Sequence, residues 1–381
     1  MSNYRKNSFF HGVDLGVFFN LIIIMLLGLL LLASAGSVVA GKLGLPEHHF
    51  LKKQLIFLFI GILIIIFISN LSEKCIRRLI FLGFVITVIL LLLVLFLGEI
   101  TKGAKRWITL CGFSMQPSEF LKPFYTSFIA IILSSEKDKF NTKNFYICIV
   151  LNCLIVTLLL LQPDFGMTVT NTIATFSLLF IAGIKLSWLL IILILSFFGF
   201  YAAYISLPHV AERINKFFTP ASMSNYQVHK SMSSYLKGGF IGKGPGEGTI
   251  KYLLPDAHTD FIFAVGAEEY GLVFCIIIIL AFAIFIFKGL LSTTYMNNLF
   301  HIYTIFGVIL HFTMQFILNI GVTLNIFPTK GVTLPFISYG GSSIIAFSIS
   351  VGIYLNLLKT RKLNSVSSKG RFIYIEEELS E

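Results

Sequence analysis

Apolar residues in this sequence are grouped into runs of about twenty, the length that an α-helix needs to cross a lipid bilayer. The runs recur along the whole chain, with mostly short polar connections between them, and we count about ten. We expect each run to form a transmembrane helix. The predicted spans are approximately 15–37, 54–70, 79–98, 117–134, 145–161, 165–183, 187–206, 261–287, 300–322 and 335–357.

One polar connection, 207–260, between the seventh and eighth spans, is far longer than the others. Because the number of spans is even, both chain ends are predicted on the same side of the membrane. Lysine and arginine residues are concentrated where cytoplasmic ends would place them inside the cell, which favours that orientation. We therefore predict a cytoplasmic segment 1–14, a transmembrane domain 15–357 whose loop 207–260 is extracytoplasmic, and a cytoplasmic tail 358–381.

The composition agrees with this pattern. Of the 381 residues, 56% are hydrophobic and 12% are charged, and the mean hydropathy is +0.88, which excludes an ordinary soluble domain. The predicted fold class is an all-α polytopic membrane protein. The net charge of +11 would suggest nucleic acid in a soluble protein, but here basic residues that flank spans orient the chain and bind anionic lipid head groups. We expect membrane lipids, and no nucleic acid, as partners.

Cysteine and histidine residues give no sign of a metal site. The five cysteines have no zinc-finger spacing, and the sequence contains no HExxH motif. His301 and His311 lie ten residues apart in one apolar span, so we do not expect them to share a metal. We interpret them as packing residues or as polar contacts between helices.

Asp260 lies where the long polar segment ends and an apolar run begins near Phe261. A carboxylate at that boundary loses part of its hydration, so the position is costly unless the charge is paired or used. Two interpretations are open: Thr259 or Asp260 caps the following helix, or Asp260 is a functional acid at the outer membrane boundary. His258, two residues earlier, is a further candidate for the same site.

Two short motifs, QPSE at 116–119 and QPDF at 162–165, place further acids at the same boundary. In each, a proline stands where an inward-running helix should start, and an acid, Glu119 or Asp164, lies in the first turn, where the helix dipole favours it. Ordinary helix-start preferences explain either motif alone. Glu119 and Lys122 share a helix face because they are three residues apart. They form either a structural ion pair or part of a polar cavity that opens outward.

Candidate phosphate ligands lie in two polar stretches. Lys105 and Arg106 belong to GAKRW at 103–107, which we interpret as a short basic and aromatic loop. Lys243 belongs to the glycine-rich KGGFIGKGPGEG at 237–248, where main-chain N–H groups can approach a phosphate closely. The second stretch is not a Walker A motif. Solvation of Lys105 and Arg106 would explain the first stretch, and a flexible loop would explain the second, whose phosphate signal is weak by itself.

These motifs, in chain order, closely resemble the shape, elongation, division and sporulation family of polytopic bacterial membrane proteins. The resemblance covers essentially the whole chain, and the combination is far more specific than any single motif. Within the family, the sequence is most similar to the division member rather than the elongation member. The motifs are GAKRW at 103–107, QPSEFLKP at 116–123, QPDFG at 162–166, GKGPGEG at 242–248, LPDAHTDFIFAV at 254–265, EEYG at 268–271 and LPFISYGGSS at 334–343.

The resemblance implies a peptidoglycan glycosyltransferase that polymerises lipid II at the division septum, in the bacterial cytoplasmic membrane. It implies that the catalytic acid is Asp260 and that Glu119, Lys122 and Asp164 match other functionally important positions. Lys105 departs from the pattern, because arginine is common there. The implied partners are lipid II, a class B penicillin-binding transpeptidase and other division proteins.

In the implied reaction, the 4-hydroxyl of an acceptor sugar attacks the anomeric carbon of a donor whose leaving group is a lipid diphosphate. Asp260 would be the general base. Lys105, Arg106 and Lys243 would neutralise the diphosphate, and a divalent cation, Mg²⁺ or Mn²⁺, could share that task. No organic cofactor is expected.

Two other functions are compatible with the sequence: a flippase that moves lipid II across the membrane, and a division scaffold without chemistry of its own. A transporter usually builds its site near the membrane midplane from broken helices. Here the acids cluster at the outer ends of the spans, which favours chemistry at the outer face.

Overall fold

The computed structural model describes residues 14–101, 104–110, 112–135, 142–206, 226–328 and 331–378, with a few positions between 210 and 217. Of the predicted cytoplasmic segment 1–14, only Asp14 falls within these residues. Its carboxylate accepts hydrogen bonds from the main-chain N–H groups of Gly16 and Val17 and so caps the first helix.

Each of the ten predicted spans contains a helix, and the described part of the long loop contains the further helix Tyr226–Gly238. Seven of the helices are long and apolar enough to cross a membrane, so the predicted all-α polytopic membrane fold is confirmed. The helices are α1 Leu15–Lys42, α2 His49–Ser69, α3 Glu73–Leu97, α4 Leu121–Leu133, α5 Thr142–Leu161, α6 Phe165–Ile181, α7 Leu186–Ser206, α8 Tyr226–Gly238, α9 Ile262–Thr293, α10 Leu299–Thr323 and α11 Gly341–Glu378.

A three-stranded antiparallel sheet follows α3, with strands β1 Glu99–Thr101, β2 Ala104–Leu110 and β3 Phe113–Met115 in sequential order. The interpretation of 103–107 as a loop is therefore wrong for residues 104–107, which belong to β2. The run from Trp107 to Thr109 is aromatic and β-branched, a composition that favours strands. Gly112, with φ +81, supplies a turn conformation that side chains disfavour.

The last predicted span differs in its bounds from the helix found there. It was predicted to begin near residue 335, but α11 begins at Gly341 and continues to Glu378. The predicted tail 358–381 therefore begins inside a helix. Residues 331–340 precede α11 as an irregular segment, and this segment contributes to the candidate site below.

Buried apolar side chains form two clusters. The larger joins α1, α2, α9, α10 and α11, where the rings of Phe282, Phe285 and Phe312 pack together. The smaller joins α3, α4, α5 and α6 around Tyr125 and Leu159. Large apolar side chains are exposed along the outer faces of the helices, as expected where lipid replaces water. We call the end of the bundle that carries residues 226–261 the outer end, following the predicted orientation.

Candidate active site

An ion pair marks the start of α4. Pro117 begins a 3₁₀ turn, Pro117–Phe120, that leads into the helix, and the Lys122 ammonium lies 2.6 Å from Glu119 Oε2. The two side chains are 4% and 11% exposed, so the predicted pair exists and is largely removed from solvent. The ammonium also lies 4.9 Å from the ring centre of Phe347 on α11, an attractive cation–π geometry.

Asp164 is the N-cap of α6. Its Oδ1 accepts a hydrogen bond of 3.1 Å from the main-chain N–H of Met167, so this acid acts at the helix start, as the N-cap rather than in the predicted first turn. Gln116 Nε2 donates to Asp164 Oδ2 at 3.3 Å and to Ser118 Oγ at 2.9 Å. One glutamine amide thus joins the two proline motifs, and the acids of both lie in one polar group.

Arg106 supports the same group from the sheet. Its guanidinium donates to the carbonyl oxygens of Gln162 and Pro163, which fixes the turn that precedes Asp164. Lys105, its neighbour on β2, is partly exposed and has no ion-pair partner among the residues that the structure describes. Binding of a diphosphate by either side chain remains a prediction.

Asp260 lies directly before the outer end of α9, which begins at Ile262 with Phe261 at the N-cap. Asp260 is therefore one residue too early to be the N-cap of α9. The residue is partly exposed to solvent. Its carbonyl oxygen accepts a hydrogen bond of 3.0 Å from Asn319 Nδ2. A Cβ atom on Gly331 would lie only 3.0 Å from Asp260 Oδ2, so the carboxylate packs directly over a glycine.

The residues beside Asp260 are bound to the irregular segment before α11. The main-chain N–H of Tyr339 donates to His258 O at 3.0 Å, and Ser338 Oγ donates to Thr259 O at 2.5 Å. The His258 ring stacks on Tyr339 with ring centres 5.6 Å apart, and it lies 4.6 Å from the ring of Phe50. Burial raises the pKa of the Tyr339 hydroxyl. His258 is thus part of an aromatic cluster that supports the Asp260 segment.

Hydrogen bonds and neighbouring positions along α10 and α11 link the Asp260 segment to the ion pair of α4. Asn319, which binds the Asp260 carbonyl, lies one helical turn from Gln315, whose amide donates to Thr333 Oγ1 at 3.1 Å. Thr333 Oγ1 lies 2.9 Å from Ser343 Oγ. Ser343 precedes Phe347 by one turn of α11, and the Phe347 ring faces the ammonium of the pair. The Asp260 segment and the Glu119–Lys122 pair are therefore linked through side chains of α10 and α11.

Lys243 belongs to a second ionic cluster at the outer end of α9. Its ammonium lies 2.8 Å from Glu268 Oε1, and Glu268 Oε2 also accepts the main-chain N–H of Ile250 at 2.8 Å. The neighbouring Lys251 and Glu269 pair at 2.6 Å. Both acids are fully buried, so these pairs fasten the glycine-rich segment to α9. Diphosphate binding by Lys243 remains a prediction.

The glycines of that segment allow two main chains to approach closely. A Cβ atom on Gly238 would collide with the carbonyl of Ala267, and one on Gly242 would collide with the main chain of Glu269. Gly271 faces the segment in the same way, with φ +76 inside α9. These glycines therefore have a packing role, whatever ligand the segment also binds.

Three further residues of the site are not predicted from the sequence: Gln315, Asn319 and Gly331. A signal existed for the first two, because amide side chains four residues apart in an apolar span are costly unless bonded. Gly331 has no such signal in the sequence, because its role depends on contact with the Asp260 carboxylate, which is far away in the chain and close in space.

No group of three or more His, Cys, Asp or Glu side chains that could hold a metal ion occurs within the described ranges. Mg²⁺ is commonly bound by one or two carboxylates together with substrate phosphates. The protein residues described here therefore form no metal cage of their own, and the divalent cation remains a prediction.

Comparison with known proteins places the chain in a family. The family model FTSW_RODA_SPOVE, described as "Cell cycle protein", matches residues 15–363. The probable peptidoglycan glycosyltransferase FtsW of Caulobacter vibrioides is 35% identical over 340 residues, covering 89% of this chain and 87% of that protein. Stage V sporulation protein E of Bacillus subtilis is 30% identical over 344 residues, with coverage of 88% and 94%.

Solved structures show the same architecture. A chain from a peptidoglycan synthase complex, studied for its coordination of polymerization and crosslinking, is 26% identical with a TM-score of 0.76, covering 92% of this chain and 98% of that one. The rod shape determining protein RodA of Thermus thermophilus shares the fold, with 24% identity, a TM-score of 0.69 and coverage of 93% and 99%. The chain is a multi-pass membrane protein and belongs to the family of FtsW, RodA and SpoVE.

Proposed function

We propose that this protein is a peptidoglycan glycosyltransferase that polymerises lipid II into glycan strands. The printed names of relatives such as the Caulobacter vibrioides protein, 35% identical, support the reaction class. The structural observation that carries the proposal is the placement of Asp260. It is a partly exposed acid at the outer end of the bundle, and its main chain is bound by Asn319.

The chemistry is a single displacement. The 4-hydroxyl oxygen of the acceptor sugar forms a bond to the anomeric carbon of the donor, and the bond from that carbon to the lipid diphosphate breaks. Asp260 accepts the hydroxyl proton as general base, and the bonding electron pair leaves on the diphosphate. Attack opposite the leaving group inverts the anomeric configuration.

Cations stabilise the departing diphosphate in this proposal. Lys105 is the strongest candidate, because it is partly exposed and forms no ion pair in the part of the chain that the structure describes. Arg106 and Lys243 have partners in the protein, so each would have to share its donors with the substrate. Mg²⁺ or Mn²⁺ would supply further charge. Chelation followed by addition of each metal in the polymerisation assay tests that requirement.

The pair of Glu119 and Lys122, together with Asp164, forms the inner wall of the proposed substrate cavity. Its charges are bonded to protein groups, which suits a wall that keeps its shape while the substrate changes. This assignment rests on the contacts that join Phe347, beside Lys122, to the Asp260 segment.

The proposed setting is the division septum, in the cytoplasmic membrane, with a class B penicillin-binding transpeptidase and other division proteins as partners. The relative from the peptidoglycan synthase complex and the relatives named FtsW support this proposal. Co-purification with the transpeptidase and septal localisation of a fluorescent fusion test it.

The decisive assay uses purified protein and labelled lipid II in detergent. Wild-type protein should produce polymer, and Asp260→Asn should lower the rate by about 10²- to 10⁴-fold, the usual contribution of a general base. Asp14→Asn is the matched control, because asparagine also caps helices well. Asp14 caps the inner end of α1, whereas Asp260 lies at the outer end of the bundle. Equal polymerisation by wild type and Asp260→Asn, with both folded, would exclude this base.

The same preparation separates the alternative functions. A flippase would move labelled lipid II across vesicle membranes without forming polymer. A scaffold would do neither, even when the transpeptidase partner is added.

A further inference from the structure

Buried polar residues occur at four-residue intervals along α10. A spacing of four places them on one face of the helix, and each lies in a span that is otherwise largely apolar. We call this set the α10 stripe. From the inner to the outer end it consists of His311, Gln315, Asn319 and Thr323, which are 3%, 6%, 1% and 0% exposed.

The inner half of the stripe contacts the wall that carries the ion pair. His311 Nε2 lies 2.7 Å from Thr126 Oγ1 on α4, one helical turn from Lys122. Gln315 Nε2 donates to Thr333 Oγ1 at 3.1 Å, and Thr333 in turn contacts Ser343 at the start of α11. One helix face therefore reaches both α4 and the segment before α11.

The outer half contacts the segments around the candidate base. Asn319 Nδ2 donates to the carbonyl oxygens of Asp260 at 3.0 Å and Val332 at 2.6 Å. The Ser231 hydroxyl donates a hydrogen bond of 2.8 Å to the carbonyl oxygen of Thr323. The Thr323 hydroxyl lies 2.7 Å from the Tyr235 hydroxyl on α8. The amide of Asn319 thus binds two non-helical segments at once, one before α9 and one before α11.

We propose that the α10 stripe is the positioning element of the site, and that Asn319 is the positioning residue that holds Asp260 in register with the ion-pair wall. This inference rests on the proposed function, because it assigns a role in the same reaction. It concerns the placement of the base and not a further group that touches the substrate.

The bonding pattern of Asn319 supports positioning over simple helix packing. Polar residues that only join helices bond from one helix to another, whereas both described bonds of Asn319 go to main-chain carbonyls outside regular structure. Its Oδ1 is buried without a hydrogen-bond partner within the described ranges. An unpaired buried acceptor lowers stability, and such costs are typical of functional sites rather than of residues kept for stability.

The test compares two asparagines that make the same kind of bond in different places. Asn319→Leu removes the donor to the Asp260 carbonyl, and Asn20→Leu removes a donor of 2.9 Å from α1 to the carbonyl of Ala281, at the inner end of the bundle. Both asparagines are buried, with exposures of 1% and 6%, so both substitutions should lower Tm. Only Asn319→Leu should lower kcat, by about tenfold or more, with KM within about twofold of wild type.

Hydrogen–deuterium exchange provides a readout that needs no substrate. Exchange in segments 256–262 and 331–334 should become faster in Asn319→Leu and stay unchanged in Asn20→Leu. If wild-type protein makes no polymer, the proposed function fails, and the exchange result still decides the positioning role. Normal exchange and normal kcat in folded Asn319→Leu would overturn the inference.

A milder variant covers the case in which Asn319→Leu does not fold. Gln315→Met keeps the length of the side chain and removes only the bond to Thr333. It should accelerate exchange in 331–334 and lower kcat by about two- to tenfold. Exchange and kcat both equal to wild type in this variant would also overturn the inference.

Discussion

The two parts of the candidate site hold their charges in different ways. In the wall formed by α4 and α6, the carboxylates are held through their side chains: Glu119 by Lys122 and Asp164 by Gln116 and Met167. In the outer segment before α9, the described anchors of Asp260 are on its main chain, at its carbonyl oxygen and its N–H. The first part is largely buried, and the second is partly exposed.

The difference suits two roles: the buried wall keeps its structure, and the outer segment presents the reactive acid. A buried ion pair whose geometry is good resists change, because removal of one partner leaves an uncompensated charge away from water. A base must instead exchange a proton with its surroundings, which requires an accessible carboxylate. The main-chain bonds of Asp260, at its carbonyl oxygen and its N–H, fix the position of the acid.

The largest expected effect comes from replacing an aspartate by asparagine in each part of the site, Asp260 in the outer segment and Asp164 in the wall. Asp260→Asn should lower polymerisation by about 10²- to 10⁴-fold, and it keeps the main-chain anchors at the Asp260 carbonyl oxygen and N–H. Asp164→Asn should retain the helix cap and fold normally. Steady-state kinetics with a melting curve for each protein measures both. A large fall in Tm for Asp260→Asn would show that its carboxylate has a structural role, and the comparison would then fail.

The next largest effect concerns the buried pair. Glu119→Ala should lower the free energy of unfolding by about 3–5 kcal/mol, because it leaves the Lys122 ammonium buried without its partner. The double variant Glu119→Leu, Lys122→Met should recover most of that loss. Chemical denaturation in detergent, beside a polymerisation assay, checks both statements. Wild-type activity in the double variant would show that the wall needs shape alone.

A smaller effect is expected from Gly331→Ala. The added Cβ would lie 3.0 Å from Asp260 Oδ2, so the carboxylate must shift, and kcat should fall by about tenfold. Gly331 is exposed, so Tm should not change. Gly41→Ala is the matched control, because a Cβ there meets nothing within 4 Å. Unchanged kcat in Gly331→Ala would mean that the position of the carboxylate tolerates displacement.

The smallest effect is expected at the cap of α6. Asp164→Ala should lower the free energy of unfolding by about 1 kcal/mol, the usual value of an N-cap, and Asp164→Asn by much less. Thermal melts of the two variants side by side decide this. Equal losses would assign the role of Asp164 to its charge rather than to capping.

The sequence predicted the helices well because an apolar run of about twenty residues has few alternatives in a membrane. It also predicted the pairing of Glu119 with Lys122, because both lie on one helix face. It missed the strand at 104–110, where three short strands lie between two spans and hydropathy carries little information. The clamp of Asn319 on Asp260 joins residues 59 apart in the chain, and no local pattern encodes such a contact.

The residues between Ile250 and Asp260 are fastened at both ends, by Glu268 at the first and by Asn319 at the second. A residue inserted in that stretch would either form a bulge or displace Asp260 by up to ~3.3 Å, the length of one extended residue. A deletion would pull it by a similar amount. The number of residues in this stretch is therefore constrained as well as their identity, and we expect insertions and deletions between Ile250 and Asp260 to lower activity.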